Sequence, residues 1–249
     1  MWCTSTTGLA GFNFYQGLCL LKFVFSLFFK MKIAVLFSGR VYKFGSHYNN
    51  IMENVVQDHD ADFYLSHSPE LNEETELELF KELYKPVAVC NDPIPDKGSQ
   101  FEFEEYPIPE NFLTVKRNVV SMFYNRKRVF DLMNNSGKEY DCIVSYRVDL
   151  FSQSKIDYSN LDRETLYIPE GQDNNGGIND QIAYGAYEPM SIYMNVFPFM
   201  KKYLDNKCNF HPENINKFHL VSHDISVVRV PYNYEIVRGP QNPKVFYFL

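Results

Sequence analysis

The chain has no Cys-x-x-Cys pair, and its five cysteines (Cys3, Cys19, Cys90, Cys142, Cys208) are scattered along 249 residues. An odd, dispersed set of this kind offers neither a zinc spacing nor a disulfide framework, and it fits a reducing compartment. Cys90 and Cys142 close or sit within apolar runs and read as ordinary buried thiols. Six histidines are present, none in a His-Glu-x-x-His or comparable ligand spacing. His219 and His223 stand four apart in a helical stretch; surface placement is the favoured reading for them, with metal ligation as the alternative. There is no Gly-x-Ser-x-Gly elbow, which weakens the case for a serine hydrolase. Repeats and low-complexity tracts are lacking too. Basic charge is in deficit: 24 Lys and Arg stand against 31 Asp and Glu, a net charge of −7. That balance argues against nucleic acid as a partner, since such binding needs a basic surface to displace counterions. It leaves a nucleotide ligand open, because one arginine or a divalent cation can neutralise a diphosphate.

What the chain does have is apolar mass. Apolar residues make up 45% of it, including 22 Phe and 18 Tyr, enough for a substantial core. Residues 1–30 read as an apolar N-terminal extension, and residues 31–249 as one domain. Gly17 to Phe29 is apolar for 13 positions apart from Lys22. That is short of the roughly 20 residues that span a bilayer. It has the length of a signal-peptide core but lacks a basic segment before it and a small-residue cleavage site after it. The reading is that translation begins at Met31 and the protein is cytoplasmic. The alternative is a membrane anchor through the first thirty residues.

From Met31 onward, short apolar runs alternate with amphipathic segments, the rhythm of an α/β domain. Strands are expected at Lys32–Phe37, Ala61–Ser66, Pro86–Cys90, Asp141–Tyr146, Leu166–Ile168, Ile225–Val230 and Tyr234–Val237. Helices are expected at His47–Val56, at Glu73–Tyr84 (with Leu77, Leu79, Phe80 and Leu83 toward the core) and at Val115–Met133. Two more follow, over Tyr187–Tyr203 and from His211-Pro212-Glu213 to about His223. Asn91–Asn111, rich in Pro, Asp, Glu and Gly, reads as a long loop. The Asp141–Tyr146 run, apolar after Asp141 apart from Ser145, should be covered on both faces.

Three constellations could carry chemistry. Asp149 lies just past the central strand with Arg147 two residues before it, and ligands of open α/β sheets gather at such strand ends. A lone carboxylate there suits Mn²⁺ or Mg²⁺ bridging a diphosphate, and a structural Arg–Asp pair is the alternative. Ser38-Gly39-Arg40 follows the first strand, and its glycine would let a ligand approach the backbone. It is neither a Gly-x-Gly-x-x-Gly fingerprint nor a P-loop. The third runs from Glu170 through Asp173 to Asn179-Asp180-Gln181. Its carboxylates and amides on a glycine-rich segment suit sugar hydroxyls, with a plain Asx-rich turn as the alternative. Asp180 is the candidate general base or acceptor-orienting residue. Arg126 falls on the apolar stripe of its helix, where it needs an anionic partner. It, or neighbouring Lys127, is a candidate phosphate contact, and a structural ion pair is the other reading.

The stretches Met31–Arg40, Asp62–Leu71, Tyr140–Phe151 and Ile168–Gly185 resemble glycosyltransferases encoded by large DNA viruses of algae. The similarity runs from about Met31 to Gly239. It implies a GT-A-like three-layer α/β/α sandwich with a central mixed, mostly parallel sheet. It also implies a nucleotide-sugar donor such as a UDP-sugar, a glycan or glycoprotein acceptor such as a viral capsid protein, and a Mn²⁺ or Mg²⁺ ion. On this resemblance Ser38, Gly39 and Arg40 lie near the nucleotide, and Arg126, Lys127 and Arg147 help hold the donor. Asp149 takes the last position of the metal-binding D-x-D element, and Arg147 stands where that element usually has its first Asp. Asp180 is the catalytic residue, with Glu170, Asp173, Asn179 and Gln181 toward the sugar or acceptor.

Overall fold

The computed structural model describes residues 30–39, 44–67, 74–94, 103, 105–107 and 116–237. The expectations placed on Arg40 and on the segment before Lys30 lie outside the described residues, as does much of the Asn91–Asn111 loop. Among the described residues the strands are β1 (Lys32–Ser38), β2 (Asp60–Ser66), β3 (Ala88–Cys90), β4 (Cys142–Arg147), β5 (Leu150–Ser152), β6 (Thr165–Pro169), β7 (Ile182–Gly185), β8 (Ser226–Val230) and β9 (Tyr234–Ile236). Seven form one sheet in the order β3-β2-β1-β4-β7-β6-β8, while β5 pairs with β9 apart from it. All neighbours in the large sheet run parallel except at β7, which is antiparallel to β4 and to β6.

The side-chain alternation of β1 defines the layers. Ile33, Val35 and Phe37 pack on one face, against α1 (Phe44–Ile51), the π turn that extends it over Met52–Val56, and α2 (Glu74–Tyr84). Ala34 and Leu36 pack on the other. There they meet α3 (Lys116–Asn135), α4 (Tyr187–Met194) and α6 (Pro212–Ser222), with the short α5 (Met200–Asp205) in an adjoining cluster. All five residues from Ile33 to Phe37 are fully buried, as a parallel strand covered on both faces must be. The result is the expected three-layer α/β/α sandwich around a mixed, mostly parallel sheet. Phe37 shows how dense the first layer is, since its ring meets Phe63, Phe80, Tyr84 and Tyr146.

Several local expectations change. The Tyr187–Tyr203 helix is broken: α4 stops at Met194, a 3₁₀ turn covers Phe197–Phe199, and α5 starts at Met200. Pro198 is the cause, because it has no N–H for the helical ladder and its ring crowds the preceding turn. Leu79 is more than a third exposed and leaves the core stripe of α2 to Leu77, Phe80 and Tyr84, with Leu83 partly buried beside them. Cys142 is buried as expected, whereas Cys90 is only half-buried. Strands β5 and β7 are additions to the sequence reading, too short to show a periodicity. Among the described residues no helix is long and apolar enough to cross a membrane.

Candidate functional site

Because β1, β2, β4, β6 and β8 point the same way, their carboxyl ends share one edge of the sheet with the start of the reversed β7. That edge collects the three constellations. Ser38 is the register partner of Arg147 across β1 and β4. On the other side of β4 the Arg147 N–H donates to the Gln181 carbonyl at 3.1 Å. Three separate stretches of sequence thus end up on three adjacent strands. Gly39 turns the chain out of β1 with φ +124°, a conformation that favours glycine, while its N–H donates to the Ser66 carbonyl at 3.1 Å.

Arg147 and Asp149 form a fork. Arg147 Nε donates to Asp149 Oδ1 at 2.6 Å and Nη2 to Oδ2 at 2.9 Å. Asp149 is further fixed through its carbonyl, which accepts the Val237 N–H at 2.8 Å. The carboxylate beside it holds the Arg147 proton more firmly than usual, and Asp180 adds to that. These residues fit a resident divalent cation poorly. Both oxygens of Asp149 already receive N–H bonds, and its charge is matched by the guanidinium in the place of a first carboxylate. Among the described residues no group of three or more His, Cys, Asp or Glu is placed to hold a metal ion.

Asp180 is 8% exposed at the mouth of β7. Burial pushes its carboxyl above the ordinary range, against the opposing pull of Arg126, Arg147 and His211. Arg126 is 2% exposed, and its partners are not carboxylates. Nη2 donates to the Asp180 carbonyl at 2.5 Å and Nη1 to Asn216 Oδ1 at 3.1 Å, with the guanidinium between the rings of Phe123 and Tyr193. It pins α3 to α4, α6 and the loop before β7, and it is enclosed by that role. Lys127 is held in an i,i+4 pair with Asp131 at 2.5 Å.

The Glu170–Gln181 loop is tied down both from within and by side chains of β8, β9 and α6. Asp173 accepts two bonds from Arg229, at 2.8 and 2.9 Å, and a third from the Asn179 N–H at 2.8 Å. The Asn179 amide donates to the Gly171 carbonyl and to Tyr234 Oη, and its Oδ1 accepts the Gln181 N–H. Asp173 and Asn179 therefore shape the loop, as the Asx-turn reading proposes for part of it. Glu170 is exposed at the edge. Gln181 is 6% exposed, and its Oε1 has no hydrogen-bond partner among the described residues.

Sequence reasoning passed over the residues beneath this loop. His211 caps α6 and Glu213 lies in its first turn, with His211 Nδ1 2.7 Å from Glu213 Oε2. Glu213 Oε1 accepts from Asn174 Nδ2 at 2.9 Å. Burial, with Asp180 nearby, raises the Glu213 carboxyl to about 7, while burial lowers His211. The His-Pro-Glu start of the helix was the only local signal, and it reads as a plain helix opening. His219 is likewise corrected: it is fully buried, not on the helix surface. Its Nδ1 lies 2.8 Å from the Tyr203 hydroxyl and its Nε2 2.7 Å from the Ile192 carbonyl, and burial lowers its pKa to about 4. Each ring nitrogen is thereby engaged within the core, and His223 remains exposed.

No protein-family model matches the chain, and no curated protein matches it.

Proposed function

We propose that the protein is a glycosyltransferase that moves a sugar from a nucleotide-sugar donor, of UDP type, to a hydroxyl of a glycan or glycoprotein. A viral capsid protein is the acceptor that the sequence resemblance suggests. The observation that carries the reading is the convergence of Ser38, Arg147 and Asp180-Gln181 on neighbouring strand ends. In open α/β sheets that edge is where nucleotide ligands bind. Ser38 and Gly39 would face the nucleotide, and Arg147 its diphosphate.

In the transfer, the acceptor oxygen bonds to the anomeric carbon and the bond from that carbon to the diphosphate oxygen breaks. The nucleoside diphosphate leaves with the bonding electron pair, and Arg147 stabilises the charge as it develops. In an inverting reaction Asp180 takes the acceptor proton, and the upward push on its carboxyl makes the ionised group a stronger proton acceptor. In a retaining one it orients the acceptor. Of the four candidate sugar contacts, Asp173 and Asn179 are used in holding the loop, which leaves Glu170 and the Gln181 side-chain amide to meet sugar hydroxyls.

One observation favours a second reading, a carbohydrate-binding protein without turnover: Asp180 is nearly enclosed. A panel of nucleotide sugars separates the two. The transferase gives a thermal shift with one donor and slow donor hydrolysis, and Asp180→Asn abolishes the hydrolysis while sparing the shift. No response to any donor, with Mn²⁺ or with EDTA, rules the transferase out. Glycan binding without donor binding supports the second reading.

A further inference from the structure

The charge at the nucleotide edge is arranged the wrong way round for a metal ligand and the right way round for a fixed cation. In the Arg147–Asp149 fork the arginine side chain is 36% exposed and the carboxylate only 19%. The positive member is the outer one. Nε and Nη2 are committed to Asp149, while Nη1 has no hydrogen-bond partner among the described residues. Both ends of the fork are anchored in backbone, Arg147 by its N–H to the Gln181 carbonyl and Asp149 by its carbonyl to the Val237 N–H. A guanidinium held in this way loses little freedom when it binds an oxyanion, and its remaining N–H groups have the planar geometry that phosphate oxygens accept.

Two neighbours extend the site. Ser38 lies beside Arg147 in register, followed by Gly39, which presents no side chain to obstruct a phosphate. On the opposite flank is the buried Gln181 Oε1 without a partner. An orphaned buried acceptor is costly, and a ligand hydroxyl would satisfy it.

We propose that Arg147, clamped by Asp149, is itself the cation of this site: it receives the donor's diphosphate, and the transferase needs no divalent metal. The inference rests on the transferase reading above. Asp149 is then a positioning residue that acts through Arg147. When the anomeric C–O bond breaks, the electron pair stays on the diphosphate oxygen, and Arg147 donates hydrogen bonds to it without giving up a proton. Removing Arg147 has a distinctive consequence, because it releases both oxygens of Asp149 and creates the metal ligand that the wild type lacks.

The test is calorimetric titration of UDP and GDP into the full chain, once with EDTA and once with Mn²⁺, followed by the same titrations on three variants. The wild type should bind one of the two with the same Kd, to within about twofold, in both conditions. Arg147→Gln should weaken binding in EDTA by about 10-fold or more, the loss expected for charge-assisted hydrogen bonds. Mn²⁺ should restore part of it. Arg147→Lys keeps the charge without the fork and should fall between, which guards against a misfolded glutamine variant. Asp149→Asn should weaken binding less than Arg147→Gln does and should stay indifferent to Mn²⁺. Its effect on turnover should appear in kcat more than in KM, and Asp149→Glu should rescue it in part. Wild-type binding that appears only with Mn²⁺ and vanishes in Asp149→Asn, with Arg147→Gln unharmed, overturns the inference and leaves the transferase standing. Absence of binding to either nucleotide in both conditions, with no response to the donor panel, brings down the transferase reading and this inference with it.

Discussion

Gly177→Ala should be the most damaging small substitution in the candidate site, for a reason that is steric and not conformational. Gly177 has φ −78°, which any residue adopts. A Cβ built on it, however, would lie 2.3 Å from the Glu213 carbonyl carbon, 2.5 Å from its Cβ and 2.6 Å from its oxygen. The nearest of these is backbone in the first turn of α6, so no flexible side chain can move aside. Restoring ordinary contact requires loop and helix to part by about 1 Å. The Ile178 N–H bond to the Glu213 carbonyl, now 3.0 Å, would then lie near 4 Å, outside hydrogen-bonding range. Overpacking of this kind costs about 1–3 kcal/mol, and each hydrogen bond lost about 1 more. With the Asn174 bond to Glu213 also strained, we expect a total of about 3–5 kcal/mol. Gly176 is the control: its φ is +71°, yet a Cβ there would touch nothing within 4 Å. Gly176→Ala should cost only the left-handed backbone penalty, roughly 1–2 kcal/mol. Urea unfolding of both variants at equal m-value measures the difference. Donor titration should show a larger loss for Gly177→Ala, because Asn179 and Asp180 follow it in the same loop. A Gly177→Ala protein within about 0.5 kcal/mol of wild type, or one more stable than Gly176→Ala, would refute the reasoning.

Two pH predictions have opposite signs. Glu213 is held at about 7 against an ordinary 4.5, so its contribution to stability is full below pH 4.5 and is lost as pH rises through 7. The loss is roughly 3 kcal/mol. Glu213→Gln, which can still accept from Asn174, should therefore be more stable than wild type at pH 8, with the gap closing below pH 4.5 in urea melts. An unchanged gap would mean that the carboxyl titrates in the folded protein where it does in the unfolded chain, which refutes the burial of a neutral carboxyl. His219 is held at about 4 against an ordinary 6.5, so its contribution is full above pH 6.5 and disappears as pH falls toward 4, again by roughly 3 kcal/mol. The stability gap between wild type and His219→Gln should shrink across that window, and a gap independent of pH would refute the buried neutral imidazole.

The sequence by itself determined the layered fold. Ile33–Phe37 and, apart from Ser145, Cys142–Tyr146 are apolar on both alternating faces, and such runs alternating with amphipathic helical segments point to a sheet covered by helices on each side. The apolar stripe of the expected Val115–Met133 helix likewise identified Val119, Phe123, Val129, Phe130 and Met133 as core, while its member Met122 is only half-buried and Val115 lies outside the described residues. The polar breaks after these runs placed Ser38 and Arg147 at strand ends, since a strand that leaves the core exposes its next residues. The tertiary structure decided what those residues touch. Nothing local distinguishes an Arg-x-Asp pair that binds a metal from one closed on itself; that depends on backbone anchors at Gln181 and Val237, both distant in sequence. Strand β7, four residues long, carries no readable period, yet its reversal sets Asp180 beside Arg147. Arg126 needed a partner, but only the packing of α3 against α4 and α6 made that partner a carbonyl, an amide and two rings. Glu213 became titratable near neutrality only through its burial in the fold with Asp180 nearby, a neighbour more than thirty residues away in sequence. Hydrophobic pattern is local and is written in the chain, whereas the burial and pairing of charges belong to contacts between segments far apart in it.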